Sequence, residues 1–463
     1  MTSDIQKVID NGYCIGCGAC TIANDNFSIK RNQYGLKTAY YLTTPEDSDS
    51  DVCPFASSKD ETELGKKLYD KQPNIQFEKK LGYYLNLYAG KMLNESLRKN
   101  TSSGGLLTWL LLYLIENNVI DGVIHVSEST NNDDDLFNYN ISTSLQEITS
   151  RSKSRYYHVS FADIKDFIKS DKFSGKYVFV GVPCYIKAMR LLCLHNPHLS
   201  QHILFFFGIF CGHMKTSAFA ELFAWQQGIA PHDISKIDFR VKNETGLSSQ
   251  YSVQIKSRNQ QSHLTQNYKL YGADWGLGFF KPKACDWCDD ISAELADITF
   301  GDAWLPEYTN DSLGTNIVIV RHPQLDDILQ KASTQKHIVL EKLSEEKIIQ
   351  SQAGNYRHRQ EGLSIRLESA NNLGKWTPSK RVNIGDYQVT KSRKKLYLVR
   401  EEMSKKSHLY FYQAKNKSNI ALFALKMLPL EIKYHFHNKR LIKGTIKSIL
   451  NLIRLTFKIG DKS

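Results

Sequence analysis

The chain has 463 residues, 41% of them hydrophobic and 23% charged, which describes a folded protein of two or three domains and excludes a fibrous or disordered one. Its net charge of +12 is uneven: residues 404–463 hold thirteen Lys/Arg against two acids, or +11, leaving +1 for residues 1–403. The body is neutral, so the basic balance makes no case for a nucleic-acid-binding protein.

Nine cysteines in so long a chain are too sparse for a disulfide scaffold and suit thiols kept reduced for metal or redox work. The opening Met1-Thr-Ser-Asp-Ile-Gln-Lys has no apolar signal-like stretch. No apolar run approaches the ~18 residues of a spanning helix. A cytoplasmic protein is expected.

Cys14-Ile-Gly-Cys17-Gly-Ala-Cys20 sets three thiols two residues apart with small spacers. It matches the start of the bacterial ferredoxin run C-x2-C-x2-C-x3-C-P. The fourth position of that run is Asn24, followed by Asp25. Cys53-Pro54 supplies the missing Cys-Pro pair, so Cys14, Cys17, Cys20 and Cys53 are read as one 4Fe-4S site. A structural zinc site with the same thiols is the alternative. Residues 27–30 and 36–41 read as a short hairpin turning at 31–35. Residues 61–85 read as a linker with one short helix.

Thr101-Ser-Ser-Gly104-Gly105 opens an apolar helix from Leu106 that ends at Asn117-Asn118, followed by a buried strand from Gly122. Ser102 or Ser103 is a candidate cap, and the glycines would let a phosphate approach the helix N-terminus. An ordinary helix cap is the plainer reading. Two strand–turn–helix units follow. Lys176–Pro183 runs into Cys184 and a helix, and His202–Phe210 runs into Cys211-Gly-His and the helix from Ala218. Continuous apolar strands followed by helices predict a parallel sheet covered on both faces. Both cysteines fall just past strand C-termini, where open α/β sheets carry their sites. Residues 237–241 and 251–256 read as antiparallel strands. Then come Cys285-Asp-Trp-Cys288 and the stretch Ala296–Trp304, before a further strand from Asn316. Cys184, Cys211, Cys285 and Cys288 make a second set of four thiols, again with zinc as the alternative. Cys193 is left over as a core residue.

Six motifs in this order, CIGCGAC, SSGG, VPC, FCGH, CDWC and DITFGDAW, resemble the beta subunit of coenzyme F420 hydrogenase/dehydrogenase with an N-terminal 4Fe-4S ferredoxin-type domain. The likeness spans about residues 10–330 and extends to a branch from surface-polysaccharide gene clusters. It implies FAD and two 4Fe-4S clusters, the second on Cys184, Cys211, Cys285 and Cys288. It also implies that Ser103, Gly104, Gly105 and the stretch Lys153, Ser154, Arg155, Tyr156 contact the flavin. The family usually reads Cys-His-Gly where this chain reads Cys211-Gly212-His213. His213, Lys153 and Asp302 are weak proton-donor candidates, each with a structural alternative.

From Leu441 to Lys458, Ile442, Ile446, Ile449, Leu450, Ile453 and Phe457 recur at helical spacing, with Lys443, Lys447, Arg454 and Lys458 on the other side. Such a helix suits either an anionic membrane surface or docking on the protein body. The expected fold is α/β (α+β overall). A ferredoxin-like domain (1–60) precedes a mixed-sheet flavin-binding part (85–170), a part with the second cluster and active site (171–400), and a basic helical tail (404–463). The expected function is an iron–sulfur flavoprotein oxidoreductase. Linked to ferredoxin or to a deazaflavin, it would pass electrons from such a carrier to an organic substrate, such as a lipid- or nucleotide-linked sugar precursor of surface polysaccharide. A non-catalytic electron-relay subunit of a larger complex is the second reading. The expected location is cytoplasmic, peripheral to the membrane if the tail binds lipid.

Overall fold

The computed structural model describes residues 2–129 and 135–457. Eight strands form the central sheet: β1 (Asn86–Met92), β2 (Gly122–Glu128), β3 (Phe137–Ser142), β4 (Tyr177–Gly181), β5 (Ile203–Ile209), β6 (Ile298–Asp302), β7 (Asn316–Val320) and β8 (Ile338–Lys342). In space they run β8-β1-β7-β6-β5-β4-β2-β3. The block β6-β5-β4-β2 is parallel, and antiparallel strands flank it on both sides. The parallel sheet expected from sequence is therefore the centre of a mixed one, and the fold class is α/β.

The apolar runs of β4 and β5 follow from burial on both faces. Successive side chains point to opposite sides. Val178 and Val180 thus join Phe205 and Phe207 in one layer, while Phe179 and Phe206 enter the other. Helix α1 (Leu106–Glu116) closes the first layer with Leu106, Leu110 and Leu114. Helices α2 (Pro183–His195) and α3 (Ala218–Gln226) lie in the second layer. α2 starts with Pro183 at its first position, where the missing N–H is no loss.

The N-terminal segment folds into that second layer. Tyr13, Ile15, Cys17, Val52 and Phe55 share its core with Tyr185 and Phe219. The hairpin is present, Phe27–Arg31 against Lys37–Tyr41, with Ser28 opposite Tyr40. Residues 61–85 are more than a linker. A nine-residue helix, Glu61–Tyr69, is capped by Asp60, and a hairpin pairs Gln76–Glu78 with Gly82–Tyr84. A separate antiparallel sheet joins Ile234–Val241, Ser252–Ser257 and Ser262–Gln266.

Three helices end the described chain: α4 (Lys391–Asn416), α5 (Ile420–His437) and α6 (Leu441–Phe457). The boundary expected at 404 falls inside α4, whose Tyr397, Val399, Met403, Phe411 and Ala414 are all buried. Among the described residues no helix is long and apolar enough to cross a membrane. Lys458, expected at the end of the last helix, lies outside the described residues.

Candidate functional site

The first thiol run is folded by its glycines. Gly16 has φ +58°, and a Cβ there would lie 2.3 Å from the Lys37 carbonyl oxygen; at Gly18, φ +101°, it would lie 2.5 Å from Ala162 N. Only glycine lets the loop press this closely between the hairpin and residues 160–162. The backbone N–H groups of Gly16 and Ala39 donate to Cys14 Sγ, each at 3.3 Å. Cys20 sits on the short helix Ala19–Ala23. Cys53 follows the turn of helix Asp47–Val52. Asn24, standing where a ferredoxin has its fourth cysteine, donates instead to Asp49 at 2.9 Å and so ties the run to the segment that carries Cys53. Burial is the main influence on these thiols, pushing Cys53 up to about 12. Cys20 also feels Cys17, Cys14 and Cys53, so the four are neighbours.

The second set assembles at the carboxyl ends of adjacent strands β4 and β5. Cys184 lies in the first turn of α2, Cys211 just past β5, and Cys285 and Cys288 on the short turn of helix from Lys283 and its end. All four line one cavity with Ile15, Phe55, Met214, Asp290 and Arg359. Met214 N donates to Cys285 Sγ at 3.4 Å. Among the described residues no group of three or more His, Cys, Asp or Glu side chains is set to hold a single metal ion. The second-set thiols surround a space rather than a point. Ile15 and Phe55 come from the N-terminal segment, so the two sets adjoin. Cys184 interacts with Cys17 as well as with its own set. Tyr185 is held beside both, its hydroxyl donating to the carbonyls of Val159 (2.6 Å) and Ile15 (3.3 Å).

One residue of the cavity wall, Arg359, and the buried lysines behind it are cations that the sequence did not signal. Arg359 is buried and donates to the carbonyls of Gly212 (3.0 Å), Cys288 (3.3 Å) and Cys211 (3.4 Å). Burial works against its charge, and the sulfurs of Cys288, Cys285, Cys211 and Cys184 hold it up. Lys215, also buried, donates to the Phe279 carbonyl at 2.6 Å, and burial drives it well below the usual lysine range. Lys281 pairs with Asp286, which His358 also contacts at 3.1 Å. Arg359, bonded to carbonyls, and Lys215, held by a carbonyl and the rings of Phe219 and Trp275, call for an anion nearby, and four thiolates around a cluster would supply it. The donor set fits an iron–sulfur group.

The SSGG stretch differs from the expected cradle. Neither Ser102 nor Ser103 caps α1; Gly105 stands at the cap with φ +79°, and Leu106 N donates to Asn316 Oδ1 at 3.0 Å. A Cβ on Gly104 would lie 2.5 Å from the Gly90 carbonyl oxygen. The glycines are there so that the helix can sit on β1 and β7, and a side chain already occupies its first N–H. Ser103 Oγ donates to the Thr315 carbonyl. The two expected flavin-contacting segments nevertheless meet, because Ser154 N donates to Ser102 Oγ at 2.8 Å. Cations gather there. Lys242 donates to the Ser103 and Arg98 carbonyls, each at 2.6 Å, and Lys153 pairs with Asp238 at 3.2 Å. Burial, with Arg240, Arg98 and Lys153 nearby, brings Lys242 down to about 7. Arg155 is buried over the Phe137 ring with Nη2 3.8 Å from Glu128 and with Nε and Nη1 unpaired among the described residues. From Tyr156 an aromatic path leads to the second thiol set: its ring lies 5.0 Å from Trp275, and Trp275 lies 4.5 Å from His213.

The proton-donor candidates fare differently. Both carboxylate oxygens of Asp302 accept from Arg240 at 2.9 Å, which makes it a structural ion pair. Lys153 is likewise engaged. His213 is buried, with Nε2 unpartnered among the described residues. Burial, with Lys215 and Lys281 adding to it, holds its ring well below the usual range. Cys193 stands apart from both sets, and burial pushes it up to about 12.

Two family models cover the central sheet and the second thiol set. Residues 87–165 match the N-terminal model of the coenzyme F420 hydrogenase/dehydrogenase beta subunit, and residues 174–346 match its C-terminal model. The chain belongs to this beta-subunit family. It is 22% identical over 357 residues to a coenzyme F420-dependent sulfite reductase of Methanocaldococcus jannaschii, covering 73% of this chain and 49% of that protein. It is 23% identical over 236 residues to the coenzyme F420 hydrogenase subunit beta of Methanococcus voltae, covering 49% of this chain and 75% of that one. The chain thus spans about half the length of the sulfite reductase. A chain of the F420-reducing [NiFe] hydrogenase complex from Methanosarcina barkeri, in a xenon-derivatised structure, overlaps at TM-score 0.48 and 17% identity, covering 66% of this chain and 98% of that one. None of these three relatives is named for surface polysaccharide.

Proposed function

We propose that this chain is an electron-transferring iron–sulfur oxidoreductase subunit that works with protein partners, carrying two 4Fe-4S clusters. One would sit on Cys14, Cys17, Cys20 and Cys53, the other on Cys184, Cys211, Cys285 and Cys288. The carrying observation is the cavity lined by the four cysteines of the second set together with Ile15 and Phe55 of the first segment. The relatives support the class: one is named as a subunit of a hydrogenase and both are named for coenzyme F420. Bound there, the clusters would pass single electrons, and a flavin would couple them to two-electron chemistry. The protein's own residues do the rest. Arg359 and Lys215 offset the negative charge, Tyr185 and Ile15 keep the gap between the sets dry, and the glycines of residues 16–18 bring N–H donors to sulfur.

FAD is the cofactor we assign to the basic region at Ser102, Lys153, Ser154, Arg155, Tyr156 and Lys242, in place of a cradle on the N-terminus of α1. Its support is the Arg155 guanidinium, whose Nε and Nη1 have no partner among the described residues while Nη2 faces Glu128 at 3.8 Å, and the aromatic path from Tyr156 to the second set. A chain that by itself reduces an organic substrate with electrons from ferredoxin is the second reading, favoured by the same path. Anaerobic purification with iron, sulfide, zinc and flavin measured tests the proposal. About eight irons per chain are expected, four per cluster, and Cys17→Ser should retain about half. Stoichiometric zinc, or loss of all iron in Cys17→Ser, would overturn two independent clusters. Oxidation of reduced coenzyme F420 by the chain alone, or only with added partners, separates the two readings.

A further inference from the structure

α6 is held to the body by a side less apolar than its outer one. Gly444, Ser448 and Leu455 face inward. A Cβ on Gly444 would lie 2.3 Å from the His435 ring. Ser448 donates to Glu431 of α5 and lies 3.3 Å from His435 Nε2. The other side is open. Ile442, Ile446, Ile449, Leu450, Ile453 and Phe457 are all exposed, Ile442 at 77% and Phe457 at 73%. At about 100° per residue, these six form one continuous stripe roughly opposite the buried face.

Single exposed apolar residues are ordinary, but a continuous stripe marks a contact surface. Its margin says what kind. Lys443, Lys447 and Arg454 lie along one edge of the stripe, and the sequence has no Asp or Glu between Glu431 and Phe457. A helix with an apolar face beside an acid-free basic edge matches a layer of anionic headgroups over acyl chains. It is not a spanning segment.

We propose that α6 lies flat on an anionic lipid surface, its isoleucine stripe inserted at the headgroup boundary and its basic edge against the phosphates. The clusters and flavin play no part in this contact.

The test uses the purified full chain and vesicles of phosphatidylcholine, alone or mixed with phosphatidylglycerol. Co-sedimentation with the mixed vesicles at low salt and release at high salt are expected. Lys443→Gln/Lys447→Gln should weaken partitioning about thirty-fold. Ile446→Ser/Leu450→Ser should abolish it with the thermal unfolding midpoint unchanged, since both side chains already face water. Failure of the full chain to bind, equal binding to both vesicles, or undiminished binding by the Ser variant would overturn the proposal. So would a lipid-free dimer that the Ser variant dissociates, because the stripe would then belong to a second copy.

Discussion

Single residues around the second thiol set carry charge that the fold balances only in place. The thiols were legible in the sequence because their spacing is local or their position follows a strand. Arg359 was not, because nothing near Asn355–Arg359 forms a motif and its role exists only once three distant carbonyls converge on it. Arg359→Lys keeps the charge, but a single nitrogen cannot reach three carbonyls that the guanidinium meets at Nε, Nη1 and Nη2, so a loss of about 2 kcal/mol is expected. Arg359→Gln removes the charge as well and should lose iron that the Lys variant keeps. Equal iron in the two variants would mean the charge is unimportant. Asp286 makes a second case. Burial alone would raise its pKa, yet Lys281, Arg366 and His358 hold it well below the usual range. Asp286→Asn strands the buried Lys281 without an anion and should lower stability by about 3–5 kcal/mol, read as a fall in the urea midpoint.

Among the elements, those built on hydrophobic pattern were legible and those built on small polar contacts were not. The runs 176–183 and 202–210 announced β4 and β5, and 106–116 announced α1. The cap of α1 misled, since the helix N-terminus is filled by Asn316, some two hundred residues away. In α6 the isoleucine spacing identified the stripe but not which side packs, because the packing side is Gly444 and Ser448. Glu431 is the anchor on α5. Both carboxyl oxygens accept, one from Tyr271 and one from Ser448. Burial raises its pKa above the ordinary value, with Asp274 adding to it and Lys447 opposing. A carboxyl raised in the fold contributes stability below its unfolded pKa, and that contribution fades as pH rises through the folded value. Glu431→Gln cannot lose a proton. The difference in thermal midpoint, variant minus wild type, should therefore grow more positive from pH 5 toward pH 8. A difference that stays flat with pH would show that Glu431 is charged throughout.

At the scale of the whole molecule, the segments that looked like separate modules share one interior. Charge bookkeeping drew a boundary at 404, where the basic excess begins. Packing does not respect it, because a helix can carry a basic outer face and a buried inner one along the same residues. The inner face of α4 grips the stretch that leads into Cys285. Ser404 Oγ donates to the Lys281 carbonyl at 2.8 Å, and Phe280 N donates to Ser407 Oγ at 2.9 Å. The Phe280 ring packs against Phe411 at 5.1 Å and Phe423 at 5.5 Å. Truncation after Met403 would remove all four of these partners while leaving every cysteine in the chain. A dispensable tail would leave iron content unchanged. The contacts argue otherwise: residues 279–288 would lose their backing, exposing two phenylalanines and loosening Cys285 and Cys288. The truncated chain is expected to retain about half its iron, held by Cys14, Cys17, Cys20 and Cys53, whose loop is fixed by Lys37, Ala39 and residues 160–162. Iron analysis of the anaerobically purified variant checks this, and full retention would return α4 to the status of an appendage.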